Sequence, residues 1–127
     1  MTFDTCFLID LQRERRRGEA GAACRFAEAH AGQTSYLSAV AWGEFSEGFA
    51  AADAVFLAWQ ASFEILPLDG RVAWQYSRLV RELRARGQLI GSNDLWICAT
   101  ALAHHLPLVT RNAADFQRIP GLKVLGY

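Results

Sequence analysis

The chain has 127 residues, 52% of them hydrophobic, and its 13 basic side chains balance 13 acidic ones. This length predicts one domain over residues 1–127, and the apolar content excludes a disordered chain. Zero net charge excludes a global basic field, so any nucleic-acid contact must come from local arginines. No stretch reaches the ~20 apolar residues of a membrane span, and the first residues carry acids where a secretory signal carries basic side chains. The three cysteines lack metal-site or CxxC spacing, which predicts reduced thiols in a cytoplasmic protein.

The predicted elements alternate between short strands and helices. A strand at residues 2–4 precedes a helix over 7–12, which the charged run 13–17 is expected to break. A helix (20–31), a strand (34–37), a helix capped by Ser38 and a helix (53–62) follow. Next come a strand (63–68), the clearest helix (71–86), a helix capped by Ser92 or Asn93, and strands at 108–110 and 122–125. This alternation predicts an α/β fold with a parallel sheet covered by helices on both faces.

Four acids follow strand ends or lie early in helices: Asp4, Glu44, Asp94 and Asp115. The carboxyl ends of parallel strands meet at one edge of a sheet, so these acids are expected to converge. Clustered carboxylates repel one another unless a cation offsets them. Mg²⁺ and Mn²⁺ prefer oxygen ligands and promote phosphodiester hydrolysis, which makes a metal-dependent nuclease the functional hypothesis.

Other interpretations of the same acids stay open at this point. Asp94 and Asp115 are also typical capping residues, and Glu44 is also typical of a helix surface. Asp4 alone would fit the aspartate nucleophile of a phosphatase or dehalogenase. Such enzymes usually also need a DxD pair and a lysine, whereas position six is Cys6 and the only lysine is Lys123.

Four segments resemble the motifs of PIN-domain proteins, especially VapC-type toxins. The opening motif corresponds to MTFDTCFLIDL, the second to LSAVAWGEFSEG, and the third and fourth to IGSNDLWICATALAHHLPLVTRNAADFQRIPGLKV. Their order and spacing agree over the whole chain. The resemblance implies a PIN fold, a three-layer α/β/α sandwich with a parallel sheet of four to five strands. It also implies an Mg²⁺- or Mn²⁺-dependent endoribonuclease that acts as the toxin of a VapBC-type toxin–antitoxin pair.

The resemblance assigns catalytic and metal-binding roles to Asp4, Glu44 and Asp94. The fourth position stays open, because many relatives carry aspartate where this chain has Asn112, and Asp115 stands one helical turn later. The expected supporting residues are Thr5, Ser92, Thr110 and Asn112. A cognate antitoxin, a homodimer and a structured RNA substrate such as tRNA or rRNA are further implications. A catalytically degenerate module that binds RNA or protein is the alternative that Asn112 supports.

Two other features bear on partners. The expected RNA-phosphate contacts are Arg13, Arg15, Arg16, Arg17 and Arg111, although the run 13–17 also fits a solvated loop. The two middle helices are rich in aromatic side chains: Trp42, Phe45, Phe49, Phe56 and Trp59. Most should lie in the core, and a surplus would form a groove for an antitoxin helix or strand.

Overall fold

The computed structural model describes all 127 residues and contains five short strands. They are β1 (Thr2–Phe3), β2 (Tyr36–Ser38), β3 (Glu64–Leu66), β4 (Leu108–Val109) and β5 (Val124–Leu125). All pairs are parallel, in the order β3-β2-β1-β4-β5. In register, Thr2 of β1 faces Tyr36 of β2 on one side and Leu108 of β4 on the other. The predicted parallel α/β architecture is confirmed, with β1 at the centre of the sheet.

Seven helices flank this sheet. They are α1 (Thr5–Arg17), α2 (Ala22–Ala29), α3 (Ala39–Ser46), α4 (Ala54–Ala61), α5 (Gly70–Ala85), α6 (Ser92–Ala103) and α7 (Ala113–Phe116). The expected break at residues 13–17 is wrong, since α1 continues through Arg17 and ends at Gly18, whose φ is 67°. Arginine is a good helix former, and the last-turn arginines lie at the negative end of the helix dipole. The short helix α7 was not predicted.

The core lies between the sheet and the helices on its faces. Phe3 of β1 stacks on Phe7 of α1 with ring centroids 4.5 Å apart, and Leu8 and Leu11 are buried beside them. Helix α6 is buried along most of its length between α5, α3 and the sheet. Each large apolar side chain buried in this way contributes roughly 1.5–3 kcal/mol. No helix is both long enough and apolar enough to cross a membrane.

Helix starts place the functional side chains at one edge. Ser38 caps α3 as predicted, because its hydroxyl accepts the N–H of Ala41 at 3.0 Å. Helix α6 runs back across the sheet before β4, so its first turn lies at the carboxyl edge with the ends of β1 and β4. The predicted cap by Ser92 or Asn93 is wrong, because Gly91 is the N-cap and both residues lie inside the helix. Their side chains are therefore free for other contacts.

Candidate active site

Asp4 follows β1 and is held from two sides. Its N–H donates to the carbonyl of Val109 in β4 at 2.9 Å, and the residue is only 6% exposed. Its Oδ2 accepts the Thr110 hydroxyl at 2.8 Å and the Cys6 thiol at 3.0 Å, while its Oδ1 accepts no hydrogen bond. Thr110 thus supports Asp4, as expected for that position. Cys6 was not expected to take part, and its thiol performs the same task from α1.

Glu44 on α3 bridges two other helices. Its Oε2 accepts the Thr5 hydroxyl at 2.5 Å, and its Oε1 accepts the amide of Asn93 at 2.7 Å. The sequence predicts that Thr5 orients either Asp4 or a metal-bound water, and in the structure its hydroxyl donates to Glu44. The sequence predicts only a capping role for Asn93, because nothing in its spacing links it to Glu44, 49 residues away. These two bonds fix Glu44 between the starts of α1 and α6.

Asp94 is half-buried in the first turn of α6, and its carboxylate accepts no hydrogen bond from the protein. Burial raises the pKa of Asp94 above its ordinary value, and the nearby charges of Asp4, Glu44 and Asp115 raise it further. The charges of the three other predicted acids therefore act on Asp94. Asp94 is the acid of this group whose negative charge is least compensated by neighbouring donors.

The buried thiol of Cys98 lies one helical turn beyond Asp94. Burial, and then the charges of Asp94 and Asp4, raise the pKa of Cys98. The thiol is therefore neutral at physiological pH and lies close to both carboxylates. Because Cys98 is fully buried, this side of Asp94 is shielded from water, which strengthens charge interactions there.

The fourth corner of the site is more open than the other three. Asp115 in α7 has a side chain 68% exposed, and it pairs with Arg118 at 3.3 Å. Asn112 is the exposed N-cap residue of α7, and its side-chain amide makes no hydrogen bond. Ser92 is exposed and also makes none, so the expected support of Asp94 by Ser92 is absent. Asp115 contributes charge to the cluster from its rim.

The donor set suits a hard divalent cation. An unpaired, half-buried carboxylate among other carboxylates is unfavourable by itself and becomes favourable with a cation beside it. As the side chains lie, no three His, Cys, Asp or Glu groups are close enough to hold one ion directly. Both oxygens of Glu44 accept hydrogen bonds from Thr5 and Asn93, whereas Oδ1 of Asp4 and the carboxylate of Asp94 accept none and could bind a cation directly. Glu44 and Asp115 then fit roles through water or after a change of rotamer.

The predicted arginine set does not form one patch. Arg111 and Arg13 both bind Asp10, at 2.6 and 3.4 Å. Arg15 instead lies over the ring of Trp59 on α4, 5.2 Å from its centroid. Arg16 and Arg17 are exposed at the end of α1. The helical continuation of α1 therefore directs neighbouring arginines to different sides of the molecule.

Comparison with known proteins agrees with this fold. A family model described as the PIN domain matches residues 1–122. Ribonuclease VapC1 of Methanocaldococcus jannaschii is 33% identical over 125 residues, which cover 95% of this chain and 83% of that protein. Ribonuclease VapC1 of Rickettsia felis is 41% identical over 63 residues, 50% of this chain and 47% of that one.

Solved structures show the same architecture. A toxin–antitoxin complex from Klebsiella pneumoniae contains a chain that superposes with a TM-score of 0.73 at 30% identity, covering 98% of this chain and 94% of that one. A chain of VapBC2 from Rickettsia felis, bound to a promoter DNA fragment, superposes with a TM-score of 0.82 at 23% identity, covering 99% and 97%. At that lower identity the second likeness concerns the fold alone.

The parallel sheet, the acids at its carboxyl edge and the family match define the class, and this chain belongs to the PIN-domain family. The relative aligned over nearly the whole chain narrows the class further, to the VapC-type ribonucleases. The resemblance seen in the four sequence motifs is thereby confirmed.

Proposed function

We propose that this protein is the endoribonuclease toxin of a VapBC-type pair and that Asp4 and Asp94 are the principal cation ligands. The observation that carries the site assignment is the Asp94 carboxylate, half-buried, without a donor and close to three other acids. A carboxylate in this position costs stability in the free protein, and a bound cation converts the cost into affinity.

A divalent cation at this site, when bound, activates water and offsets the charge that develops on the phosphate. Thr110 and Cys6 hold Asp4 through its Oδ2, which leaves its Oδ1 without a donor and able to bind the cation. Thr5 and Asn93 hold Glu44 beside it. The reaction is a hydrolysis in which the oxygen of water bonds to phosphorus and the O3′–P bond breaks. A 5′-phosphate and a 3′-hydroxyl are the products, and structured RNAs such as tRNA or rRNA are the proposed substrate class.

The fourth position is assigned to Asp115 rather than Asn112 in this proposal. Asp115 contributes to the raised pKa of Asp94, so its charge reaches the site although its side chain is exposed. Asn112 supplies a neutral oxygen that is weaker toward a hard cation. Asp115→Asn should reduce cleavage and raise the concentration of Mg²⁺ needed for half-maximal rate. An Asn112→Ala change should leave that concentration within about twofold.

Metal-dependent RNA cleavage is the decisive test of the activity. Wild-type protein should cleave RNA with Mg²⁺ or Mn²⁺ and lose that activity in EDTA, and added Mn²⁺ should restore it. Asp4→Asn and Asp94→Asn should be inactive while remaining folded by circular dichroism. Cleavage that persists in both variants would contradict the site assignment.

A catalytically degenerate binding module is the second candidate, and Asn112 at a position often acidic in relatives favours it. The two candidates differ in one measurable respect. A degenerate module binds RNA equally well with or without divalent cations and never cleaves it. Absence of cleavage across tRNA, rRNA and both metals, with retained RNA binding, would favour this candidate.

An antitoxin is the proposed protein partner. Relatives of this fold have been solved as toxin–antitoxin complexes. The aromatic side chains of α3, α4 and the segment between them pack mainly on one another: the ring centroid of Phe49, in that segment, lies 5.4 Å from those of Phe45 and Phe56. The exposed apolar side chains beside this cluster are Val55 and Leu57, which are 56% and 53% exposed.

We infer that the antitoxin covers the groove between α1 and α4, which is lined by Arg15, Val55, Ala58 and Trp59. This choice narrows the expectation that a surplus of the aromatic side chains forms the groove, since Phe49 and Phe56 are already half-buried and Trp59 lines the groove chosen here. Val55→Asp should lower antitoxin affinity at least tenfold. It should leave RNA cleavage unchanged, because none of the side chains that line the groove belongs to the acid cluster. Unchanged affinity in Val55→Asp would place the antitoxin elsewhere. The proposed homodimer is tested separately, by sedimentation of the free protein.

A further inference from the structure

A buried carboxylate outside the acid cluster, that of Asp10, binds three donors, two of which come from distant parts of the chain. Oδ2 of Asp10 on α1 accepts Nη1 of Arg111 at 2.6 Å and the hydroxyl of Tyr127 at 2.8 Å. Its Oδ1 accepts Nη1 of Arg13 at 3.4 Å. Two guanidinium groups therefore share one carboxylate, and the group of three charges keeps one positive charge in surplus.

This cluster is joined to the acid site through the backbone. Arg111 directly follows Thr110, whose hydroxyl binds Asp4, and the N–H of Arg111 donates to the Cys6 sulfur at 3.4 Å. The backbone of Arg111 thus lies beside the residues that hold Asp4, and its side chain extends toward Asp10. Of its five N–H donors only one is used, and its side chain is 56% exposed. A planar cation with free donors beside a phosphodiester-cleaving site is suited to a backbone phosphate.

Tyr127 holds the Asp10 carboxylate in place. Its ring packs edge-on against Phe7, with centroids 4.9 Å apart, which holds the hydroxyl against Asp10. Burial, and then the hydrogen bond to Asp10, raise the pKa of Tyr127, so the phenol remains a donor at physiological pH. Asp10 is buried and its position is therefore set by packing as well as by its partners.

We infer that Arg111, with Arg13 beside it, forms a phosphate-binding subsite for the RNA backbone, and that Asp10 and Tyr127 are the positioning residues that aim Arg111. This inference rests on the proposed ribonuclease function for the identity of the ligand. Of the five arginines predicted to bind RNA, it selects Arg111 and Arg13. It also proposes that Arg111 is oriented by Asp10 and Tyr127, which are more than a hundred residues apart in sequence.

The role of Asp10 can be decided by the sign of one effect. If Asp10 positions Arg111, Asp10→Asn weakens RNA binding even though the protein becomes more positive. If Asp10 only neutralises Arg111, the same change removes a negative charge and tightens binding. A purely structural role for the cluster predicts a lower melting temperature with no change in the salt dependence of binding.

The experiment is fluorescence anisotropy with labelled bulk tRNA in EDTA, which prevents cleavage, over a series of salt concentrations. Arg111→Ala should weaken binding about tenfold and reduce the slope of log K against log salt by about 0.7. Arg111→Lys should recover only part of the loss, because lysine lacks the planar fork. Asp10→Asn should weaken binding about threefold, and Tyr127→Phe about twofold, by loosening the same contact. Arg84→Ala, which removes an exposed arginine from the last turn of α5, is the matched control and should change neither quantity.

Kinetics on a cleaved RNA complete the test. Arg111→Ala should raise KM with kcat changed less than threefold, as expected for a contact made equally in the ground and transition states. Arg111→Ala indistinguishable from Arg84→Ala, or tighter binding by Asp10→Asn, would overturn the inference while leaving the ribonuclease proposal intact. Lost antitoxin affinity with unchanged tRNA binding would assign Arg111 to the protein partner and overturn it too. If the wild-type protein never cleaved RNA, the proposed function would be wrong. The tRNA-binding assay does not depend on cleavage, so it would still test whether Arg111 binds RNA phosphate.

Discussion

Two carboxylates, Glu14 on α1 and Asp94 on α6, show how differently one fold treats the same group. Glu14, near the end of α1, accepts the N–H groups of Cys24 at 2.8 Å and Ala23 at 3.3 Å and thereby caps α2. Burial alone would raise the pKa of Glu14, but the two backbone donors hold it below its ordinary value. Asp94 at the carboxyl edge has no such donors, and its pKa is raised by burial and by three other acids.

The difference separates structural acids from functional ones more clearly than burial or position does. A carboxylate that is satisfied by backbone donors stabilises the fold at neutral pH, and its removal should lower stability without touching activity. A crowded carboxylate without donors destabilises the fold, and its removal should raise stability and abolish activity. Substitutions at the two places are therefore expected to change activity and stability in opposite patterns.

The largest effect is expected for Asp94→Asn. Cleavage should fall by more than about 100-fold, because even partners of metal ligands cost 10–100-fold when they are removed. Mn²⁺ should raise the melting temperature of wild type and not that of the variant. In EDTA the variant should melt above wild type at neutral pH.

The pH dependence of that gap follows from the direction of the pKa shift. Native Asp94 holds its proton to higher pH than the unfolded chain, so wild type loses stability as pH rises from about 3.8 through the raised native pKa. Below that range both states are protonated and the gap should close. A gap that stays constant from pH 3 to pH 8 would contradict the shift.

The next largest effect is expected for Thr110→Val, which removes one donor to Asp4 at nearly constant volume. Cleavage should fall about 10–100-fold, and a higher Mn²⁺ concentration should restore part of it. The control is Thr100→Val, whose hydroxyl bonds only to the carbonyl of Trp96 within α6. Equal losses in both variants would mean that Thr110 acts through packing alone.

A smaller effect, on stability alone, is expected for Glu14→Ala. Losing the cap of α2 should cost about 0.5–2 kcal/mol by chemical denaturation, with RNA cleavage unchanged. Because the native pKa of Glu14 is lowered, this stability is present above its ordinary pKa of 4.5 and lost as pH falls through the native value. The difference between variant and wild type should therefore shrink at acid pH, and at neutral pH it should have the opposite sign to that of Asp94→Asn, which melts above wild type.

Gly21 offers an independent way to remove the same cap. A Cβ at Gly21 would meet the Glu14 carboxylate at 2.2 Å, so Gly21→Ala must displace that side chain. The loss should match that of Glu14→Ala, and the double variant should cost no more than either single one. Additive losses would show that the glycine is needed for another reason.

The smallest effect is expected for His105→Gly, far from both acids. Helices α1, α5 and α6 each end in the same reversed turn, with Gly18, Gly87 and His105 at the left-handed position and φ between 53° and 67°. His105 carries a side chain where glycine is favoured, so glycine should stabilise the fold by about 0.5–1 kcal/mol. Denaturant unfolding would measure it, and Gly87→Ala should show the opposite sign.

The local rules of sequence determined the frame of this protein. Alternating elements, the Ser38 cap and acids after strand ends predicted a parallel sheet with Asp4, Glu44 and Asp94 at one edge, because periodicity and capping depend on near neighbours. The same rules did not predict that α1 continues through its arginines, since a charged run fits a solvated helix turn as well as a loop.

Only the tertiary structure decided which side chains donate hydrogen bonds to those acids and to Asp10. Cys6 and Thr110 on Asp4, Asn93 on Glu44, and Arg111 and Tyr127 on Asp10 join residues up to 117 positions apart. Periodicity tells which face of a helix is buried, but a hydrogen bond over such separations depends on how whole elements pack. The unsatisfied state of Asp94 is likewise a property of the assembled edge, because it depends on donors and charges from four separate elements.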